Sequence, residues 1–290
     1  MNTETLKDFI ETHWGFEEVV LELLQNKGDR FVYKIISKEG NFVIKISDTE
    51  KTVEQFKKDL YMLEYGPRIG FDYVPKIIET KDGSSYLHFQ NRFLFIMAFL
   101  SGESPENNPL DWHKIGALTA RLHNIKNYKY TIDFNPLDKK GGVDEFSQAL
   151  SFGKEYRELF ATLPDFSNLP KTPIHTDIGL HNSIKKENGE IIFIDWDDAG
   201  IGLRILDIGF PLLSQFVDEN NIIHTQNAKA FYSSYFENVH IPVSENEKRM
   251  IFDASLFFAL IYLRYSDVDK TWQRIQWALS HREEIESVLF

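Results

Sequence analysis

Alternating hydrophobic and polar residues in the first hundred positions predict a strand-rich region. The alternation is clearest in RFVYKIIS (30–37), and the turn signal KEGN joins this segment to an apolar strand, NFVIKIS (41–47). YVPKIIET and SSYLHF follow, one on each side of a KDGS turn. NRFLFIMAFL (91–100) has the unbroken apolar run of a buried strand. This part of the chain is therefore expected to form a β-sheet.

Helical spacing appears once in this region and dominates after it. TVEQFKKDLYMLEYG (52–66) repeats apolar residues every three or four positions, and Gly66 is expected to end that helix. After the polar linker SGESPENNP, helices are predicted over 111–125 and over GVDEFSQALSFGKEYRELFATL (142–163). Three or more helices are predicted over 223–290.

The order of these elements predicts an α+β protein of two lobes. Residues 1–98 are expected to form a β-rich N-terminal lobe, residues 99–107 a hinge, and residues 108–290 a mostly helical C-terminal lobe. The helical lobe contains one short strand-rich insert, around residues 174–200.

Composition and charge narrow the possible partners. The chain has 290 residues and no cysteine, which excludes disulfides, thiolate metal sites and cysteine nucleophiles. Its net charge of −12 argues against nucleic acid, because affinity for nucleic acid comes largely from basic residues that neutralise phosphates. The acidic charge is compatible with a cationic small molecule that binds in an acidic cleft, and the alternative is that an acidic surface only aids solubility.

No targeting or membrane segment is expected. The N-terminal MNTETLKDFIETHWGFEE lacks the basic and apolar regions of a signal peptide. The densest apolar run, ASLFFALIYL (254–263), is too short for a membrane span and suits a buried helix. We expect a cytoplasmic protein with no membrane partner, present as a monomer or a homodimer.

The strand-rich insert carries the candidate chemistry. The turn signal ENG (187–189) lies between two strand-like segments, and a tight hairpin would bring its outer ends together. Those ends carry Asp177 and Asn182 on one side and Asp195 on the other. Asn182 and Asp195 are oxygen ligands of the kind that Mg²⁺ prefers, and Asp177 remains to accept a proton from a hydroxyl. This set of groups is what phosphoryl transfer needs.

Two other interpretations apply to the same residues. His175, Asp177 and His181 could form a transition-metal site, but that set leaves Asn182, the hairpin and Asp195 without a role. Residues 195–198 could also be a solvated acidic turn, but that interpretation leaves the spacing of the whole segment unexplained.

The insert resembles a known family. HTDIGLHN (175–182) is similar to the catalytic loop H-x-D-x-x-x-x-N of the aminoglycoside phosphotransferase and choline kinase family. IIFIDWDDAG (191–200) is similar to the metal-binding segment of that family, whose members are kinases of small molecules with a protein-kinase-like fold. The next segment, AGIGLRILDIG (199–209), also resembles the family, although Leu203 and Arg204 replace its usual Asp-Pro.

The resemblance implies a role for each motif residue. Asp177 would be the catalytic base, and Asn182 and Asp195 the Mg²⁺ ligands. His175 would organise the loop, and Asp207 would hold the loop backbone from the following helix. Thr176 stands where the family usually has glycine.

The resemblance also implies an ATP or GTP site in the N-terminal lobe. Lys45, inside the apolar strand FVIKIS, would pair with the α- and β-phosphates, and Lys34 on the preceding strand is the alternative. A lysine in an apolar strand is costly to bury without a partner, which favours a functional role. Its expected partner on the next helix is Asp59, with Glu54 as the alternative.

Backbone groups of the same lobe would complete the nucleotide site. The loop QNKGDRF, with Gly28, is placed to cover the phosphates through backbone N–H groups. The edge of the base would bind to the backbone of Met97, Ala98 and Phe99, so the choice between ATP and GTP stays open.

The sequence determines the identity of the phosphate acceptor less well than it determines the reaction. An aminoglycoside-type antibiotic is expected first, which would make antibiotic resistance the role, and a metabolite alcohol such as choline, homoserine or a sugar derivative is the alternative. A polycation would use carboxylates, and a quaternary ammonium would use an aromatic cage built on Trp272 or Trp277. The candidate carboxylates are Asp197, Asp198, Asp218 and Glu219. A third hypothesis, a nucleotide-binding pseudoenzyme that acts as an interaction module, is disfavoured because Asp177, Asn182 and Asp195 are all present.

Overall fold

The chain divides into two structural units in the computed structural model, which describes residues 2–132 and 140–290. The first unit comprises Met1–Glu103 and Ile184–Asp197, and the second comprises Ser104–Ser183 and Asp198–Phe290. The hairpin segment 184–197 thus groups with the N-terminal residues. The lobe limits expected from the sequence stay a prediction.

An antiparallel sheet forms the framework of the first unit. Its strands are β1 (Val20–Lys27), β2 (Arg30–Ser37), β3 (Gly40–Ile46), β4 (Ile77–Ile78), β5 (Leu87–Phe89) and β6 (Arg92–Ala98). They are ordered β1-β2-β3-β6-β4, and β5 pairs with the other part of β6. The strands predicted over 30–37, 41–47 and 91–100 are confirmed, because period-two patterning places one face of each against a core.

The first helix, α1 (Thr3–Trp14), covers one face of this sheet. Leu6, Ile10 and Trp14 are buried at a spacing of four residues, and they join the apolar residues of β2, β3 and β6 in one cluster. The indole N–H of Trp14 donates to the Ile78 carbonyl over 2.8 Å. This bond fixes the end of the helix to the sheet edge.

The second helix, α2 (Val53–Arg68), packs on the other face. The Phe56 ring lies 5.1 Å from that of Phe93 and 5.9 Å from that of Phe95, and these two alternate along β6 with residues that belong to the α1 cluster. The predicted stop at Gly66 is wrong, because the helix continues to Arg68. A Cβ at Gly66 would lie 2.9 Å from the Phe71 carbonyl oxygen, so glycine serves a close backbone approach there.

Helices make up most of the second unit. They are α3 (Pro109–His123), α4 (Lys140–Ser147), α5 (Gly153–Ala161), α6 (Arg204–Ser214), α7 (Thr225–Asn238), α8 (Glu245–Arg249), α9 (Ile251–Tyr262), α10 (Val268–Ser280) and α11 (Arg282–Glu286). The buried Trp112 on α3 packs its ring against those of Phe216 and Phe231. Within the described ranges, 2–132 and 140–290, no helix is long and apolar enough to cross a membrane.

One predicted helix is interrupted. The continuous helix expected over 142–163 is divided into α4 and α5. Between them, the Ser147 carbonyl accepts the Leu150 N–H over 3.2 Å, and a Cβ at Gly153 would lie only 2.0 Å from the same oxygen. The close approach at Gly153 therefore turns the chain where apolar periodicity predicted a continuous helix.

Two small sheets complete the fold. The predicted hairpin is confirmed: β8 (Ser183–Lys185) pairs with β9 (Ile191–Phe193), and Gly189 takes a φ of 76° in the turn. The pair β7 (Lys171–Ile174) and β10 (Gly200–Leu203) was not predicted. β7 ends at the residue before His175, and β10 leads directly into α6 with Asp207, so this sheet brings Asp207 beside the loop.

Candidate functional site

Lys45 is a half-buried cation in the first unit, with a side chain that is 18% exposed and held by two carboxylates. On β3 it alternates with Ile44 and Ile46, so its side chain leaves the sheet on the face opposite to the α1 cluster. Its Nζ lies 2.8 Å from Oδ1 of Asp195 and 2.6 Å from Oδ1 of Asp197. Burial by itself would lower the pKa of Lys45, but the charges of Asp197 and Asp195 raise it above its ordinary value. Lys45 is therefore fully protonated at neutral pH.

The role of Asp59 beside Lys45 stays a prediction, and the structure gives each of them an ion pair with another residue. Asp59, on α2, forms its ion pair with Lys51, which precedes the helix, while Lys45 pairs with Asp195 and Asp197. Burial raises the pKa of Asp59 to about 7, with a further contribution from the charge of Asp197. The alternative partner, Glu54, is exposed in the first turn of α2, where a negative charge suits the helix dipole.

A buried tryptophan fixes the turn that presents the two carboxylates. Asp195 follows β9 with a φ of 62°, in the left-handed region that few non-glycine residues adopt. The next residue, Trp196, is 2% exposed, donates its indole N–H to the Phe193 carbonyl over 2.9 Å and packs edge-on against Phe71. Because Trp196 is anchored in the core, the residues on both sides of it are held in positions that reach Lys45.

Gly28 lies in the two-residue turn between β1 and β2. Its φ of 62° requires the left-handed region, and Lys27 pairs with Arg30 across the turn. A Cβ there would meet no atom within 4 Å, so packing does not explain the glycine. The contact of this turn with phosphates stays a prediction.

The backbone expected to bind the base is partly used by the sheet. The Ala98 N–H donates to the Lys76 carbonyl over 2.8 Å, and the Phe99 N–H donates to the Asn41 carbonyl over 3.3 Å. Met97 pairs with Val43 in the same ladder. Lys34, the alternative phosphate ligand, lies over the Phe99 ring at 5.0 Å and pairs with Glu22 at 3.8 Å.

In the second unit, the Asp177 carboxylate is held on both oxygens. The Asn182 amide nitrogen donates to Oδ2 over 2.8 Å and to the Asp177 backbone carbonyl over 3.1 Å. His181 Nε2 lies 3.1 Å from Oδ1. A Cβ at Gly179 would lie 2.7 Å from the His181 ring, so this glycine leaves the space that the imidazole occupies. The Asp177 side chain remains 42% exposed and open to a substrate.

Asp207 holds the backbone of the same loop, which confirms its expected role. It accepts the N–H groups of His175 and Thr176 over 2.8 and 2.6 Å. His123 Nε2 lies 3.1 Å from Asp207 Oδ2, and His123 Nδ1 lies 2.7 Å from the Tyr235 hydroxyl. Burial raises the pKa of Tyr235, so its hydroxyl stays protonated where it contacts Nδ1 of His123.

The two departures from the family pattern have structural consequences. Thr176 takes a φ of 77°, a region where a β-branched residue is strained and where the family's glycine is not. Arg204, in place of proline, is fully buried at the start of α6 and binds both oxygens of Glu247 over 2.6 and 2.7 Å. This ion pair anchors the helix that carries Asp207.

The residues suggested for the acceptor are mostly engaged elsewhere. Asp218 accepts the N–H groups of Asn220 and Ile222 in its own turn, and Glu219 pairs with Lys270 at 3.6 Å. Trp272 stacks on Phe152 at 4.5 Å, and Trp277 stacks on His281 at 4.4 Å. These contacts favour packing roles for both tryptophans over an aromatic cage.

The interactions of three residues around Asp177 and Lys45 were not predicted from the sequence. His181 entered only as a metal ligand, whereas it contacts Asp177, and Asp197 entered only as an acceptor contact, whereas it pairs with Lys45. Tyr262, on α9, lies within the field of Asp177 and Asp198. In the part of the chain that the structure describes, no three His, Asp or Glu side chains are grouped as metal ligands, so the transition-metal interpretation finds no ligand set there.

The sheet-based first unit and the helical second unit define an α+β fold of the protein-kinase-like class. The sequence profile of the phosphotransferase enzyme family (APH) matches residues 22–231. The chain belongs to this family, which confirms the expected class of enzyme, a small-molecule kinase.

Solved structures agree with this fold. The amicoumacin kinase hAmiN, in complex with AMP-PNP, Ca²⁺ and Ami, superposes with a TM-score of 0.68 at 17% identity over 99% of this chain and 94% of the other. Spectinomycin phosphotransferase APH(9)-Ia, with ADP and spectinomycin, gives 0.67 at 15% identity over 99% and 93%. Choline kinase LicA from Streptococcus pneumoniae gives 0.64 at 15% identity over 96% and 97%. Among curated proteins, no sequence matches significantly.

Proposed function

We propose that this protein transfers the γ-phosphate of ATP or GTP, with Mg²⁺, to a hydroxyl of a small molecule. The observation that carries the proposal is the Asp177 carboxylate, which is held by Asn182 and His181 and yet is exposed to solvent. A carboxylate fixed in orientation and open on one side suits a base that receives a proton from a bound alcohol. The use of ATP or GTP also fits the predicted cytoplasmic location.

Asp177 orients the nucleophile in this proposal. The acceptor hydroxyl donates a hydrogen bond to the carboxylate, and its proton passes to Asp177 as the hydroxyl oxygen forms a bond to phosphorus and the bond to the leaving diphosphate breaks. Asn182 and His181 limit the rotation of the carboxylate, and Asp207 holds the loop backbone. Positioning of this kind accounts for most of the catalysis of phosphoryl transfer.

Lys45 is proposed to bind phosphate oxygens, since it is a cation that projects from the sheet and is only partly buried. The N–H groups of Ala98 and Phe99 donate within the sheet, so the base would bind to carbonyls of this segment or to the N–H groups that follow Phe99. Gly28 is proposed to let its turn approach the phosphates.

Asn182 and Asp195 are each proposed as Mg²⁺ ligands, and their chemistry fits. The Asn182 amide nitrogen is directed to Asp177, which leaves its oxygen as the metal-binding group, and Asp195 offers a carboxylate that is 47% exposed. When bound, the ion would neutralise phosphate charge. Asp59 is proposed to balance the charges around Lys45 through its pair with Lys51.

The first candidate for the acceptor in this proposal is an aminoglycoside-type antibiotic, which would make the enzyme a resistance factor. The hAmiN and APH(9)-Ia structures carry Ami and spectinomycin, which supports an antibiotic acceptor for this fold. A metabolite alcohol is the second candidate. The engagement of Asp218 and Glu219 favours it, because two of the carboxylates expected to bind a polycation already have partners.

The test is an Asp177→Asn variant with a screen of acceptors. Purified protein with Mg²⁺ and ATP or GTP would be assayed for phosphorylated product against aminoglycosides, spectinomycin, macrolides, choline, ethanolamine, homoserine and methylthioribose. With the preferred acceptor, Asp177→Asn should lower kcat about 100-fold or more, as loss of a general base does. Its nucleotide affinity should stay within about twofold of the wild type, since the change leaves the nucleotide contacts intact.

Asp8→Asn is the matched control, because Asp8 is an exposed residue of α1. It should leave kcat unchanged. Full activity of Asp177→Asn would disprove the assigned base. Nucleotide binding without transfer to any acceptor would support the pseudoenzyme hypothesis instead.

A further inference from the structure

A cavity of about 340 Å³ lies in the second unit among α6, α9 and α10. Its wall is mostly apolar, with Phe210 and Leu213 from α6, Phe258 and Ala259 from α9, and Ile275 and Ala278 from α10. Small-molecule sites range from about 300 to 1,000 Å³, so this cavity is large enough for a small ligand or for part of a larger one. Apolar walls favour an apolar ligand body, because its burial removes hydrocarbon surface from water.

In the described part of the chain, the wall of the cavity has no carboxylate that could bind a cationic ligand group. Among the described residues that line the cavity, none is Asp or Glu, and Arg274 brings the one charged group. Arg274 Nη2 donates to the Leu213 carbonyl over 2.5 Å and also to the Val217 carbonyl, which fixes the guanidinium at the end of α6. Burial lowers the pKa of Arg274, although the group stays charged at neutral pH. An ammonium group would meet like charge there, and a carboxylate would meet opposite charge.

The cavity wall continues to the loop that carries Asp177. Ser214 lines the cavity, and the side chain of its neighbour Gln215 lies 3.1 Å from where a Cβ of Gly179 would be. Gly179 is two residues from Asp177. Tyr262, another wall residue, has its pKa raised to about 12 by burial and by the charges of Asp177 and Asp198. Tyr262 thus stays protonated and lies within the field of the proposed base.

We infer that this cavity binds the acceptor, and that the acceptor is an alcohol with an apolar body whose bound part is uncharged or anionic. This inference rests on the proposed function, since it places the reacting hydroxyl near Asp177 and the remainder of the molecule between the three helices. Of the two candidate acceptors in the proposed function, the wall therefore favours the metabolite alcohol over the polycationic aminoglycoside, because it offers a guanidinium in place of carboxylates.

The experiment compares three alcohols with the same phenyl body and different charges: 3-phenyllactate, 2-phenylethanol and phenylalaninol. Dissociation constants would be measured by titration calorimetry with the full chain and no nucleotide. We expect 3-phenyllactate and 2-phenylethanol to bind at least about 10-fold more tightly than the cationic phenylalaninol. Ala259→Phe fills the cavity and should weaken the binding of 3-phenyllactate and of 2-phenylethanol by at least about 10-fold. Ala259→Leu is a variant that fills less of the cavity.

Ala161→Phe is the matched control, since Ala161 is exposed at the end of α5, and it should leave all three constants unchanged. Arg274→Met should weaken the binding of 3-phenyllactate and leave the binding of 2-phenylethanol unchanged. Unchanged binding of 2-phenylethanol would also show that the variant still forms the cavity. Tighter binding of phenylalaninol, no effect of cavity filling, or no binding at millimolar concentration would each overturn the inference.

The two proposals fail in distinguishable ways. Asp177→Asn should bind the probes as the wild type does, because binding needs no transfer. If the probes bind, cavity filling abolishes their binding, and no acceptor is phosphorylated, the proposed function would be contradicted. The cavity would still be a ligand-binding site. If the protein phosphorylates a polycation, and Ala259→Phe does not change the KM for that polycation, the proposed function would stand. The inference that the cavity binds the acceptor would be overturned.

Discussion

Replacing Asp207 with alanine tests whether the loop of Asp177 depends on one buried carboxylate. Asp207 is fully buried and accepts three hydrogen bonds, from the backbone of His175 and Thr176 and from His123. Its removal leaves two buried backbone N–H groups without an acceptor. Each orphaned group costs about 1–3 kcal/mol, so we expect the free energy of unfolding to fall by about 4 kcal/mol. That is a large part of the about 5–15 kcal/mol that stabilises an ordinary domain.

The isosteric Asp207→Asn variant separates the role in the loop from the role in folding. Its amide oxygen can replace one of the two backbone acceptors, while its NH₂ group faces the other backbone N–H. We expect a smaller loss of stability, about 2 kcal/mol, because one donor is left without an acceptor. Displacement of Asp177 by the relaxed loop should lower kcat about 100-fold. Nucleotide affinity measured without Mg²⁺ should stay unchanged, since Lys45 belongs to the first unit.

Urea unfolding followed by circular dichroism measures the stability change, and steady-state kinetics with the preferred acceptor measures the second effect. Glu237→Ala is the matched control, because Glu237 is exposed on α7, and its effect should stay within about 0.5 kcal/mol. An Asp207→Ala protein as stable as the wild type would show that the loop does not need this carboxylate.

Three further predictions follow from buried or strained residues. Glu247→Ala should lower the free energy of unfolding by about 3–5 kcal/mol in urea, because it leaves the buried Arg204 charge unpaired, and a loss under about 1 kcal/mol would contradict this. Thr176→Gly should raise the free energy of unfolding by about 1 kcal/mol, since it relieves a left-handed φ of 77°, and a clear loss of thermal stability would argue against strain. Burial raises the Asp59 pKa to about 7, so the folded state binds this proton more tightly than the unfolded chain, and the contribution of Asp59 to stability falls as pH rises from about 4 to about 7. Asp59→Asn should therefore gain stability relative to the wild type between pH 4 and pH 8 in urea titrations, and a pH-independent difference would refute the assignment.

Short-range spacing accounts for what could be predicted from the sequence. The catalytic-loop residues Asp177 and Asn182 are five positions apart, and their contact depends on one local turn. The hairpin after them was predictable because its turn signal and its strands are contiguous. The segments of β2, β3 and β6 carry clear apolar patterns, so the sequence also predicted that they form strands.

Contacts between residues that are far apart in the sequence could not be predicted in the same way. Lys45 and Asp195 are separated by 150 positions, and no local pattern chooses between Asp195, Asp197 and Asp59 as partners for the lysine. Lys51 reaches Asp59 from the segment before α2, which leaves Lys45 to the carboxylates that follow β9. The pair β7 and β10 was missed for another reason: KTPI contains a proline and GIGL two glycines, residues that are depleted in strands.

The contacts of Lys45 indicate how its environment must change when a nucleotide binds. In the structure, its ammonium group contacts Asp195 and Asp197, and Asp197 also raises the pKa of the nearby Asp59. A phosphate that binds Lys45 competes with these carboxylates and adds negative charge to a cluster in which Asp59 is already near its pKa. When Asp195 leaves Lys45, replacement by another cation is favoured, since Asp197 adds negative charge at the same ammonium group. In the proposed reaction, Lys45 would bind a phosphate and Asp195 would be free to hold Mg²⁺, so nucleotide and Mg²⁺ are expected to bind together.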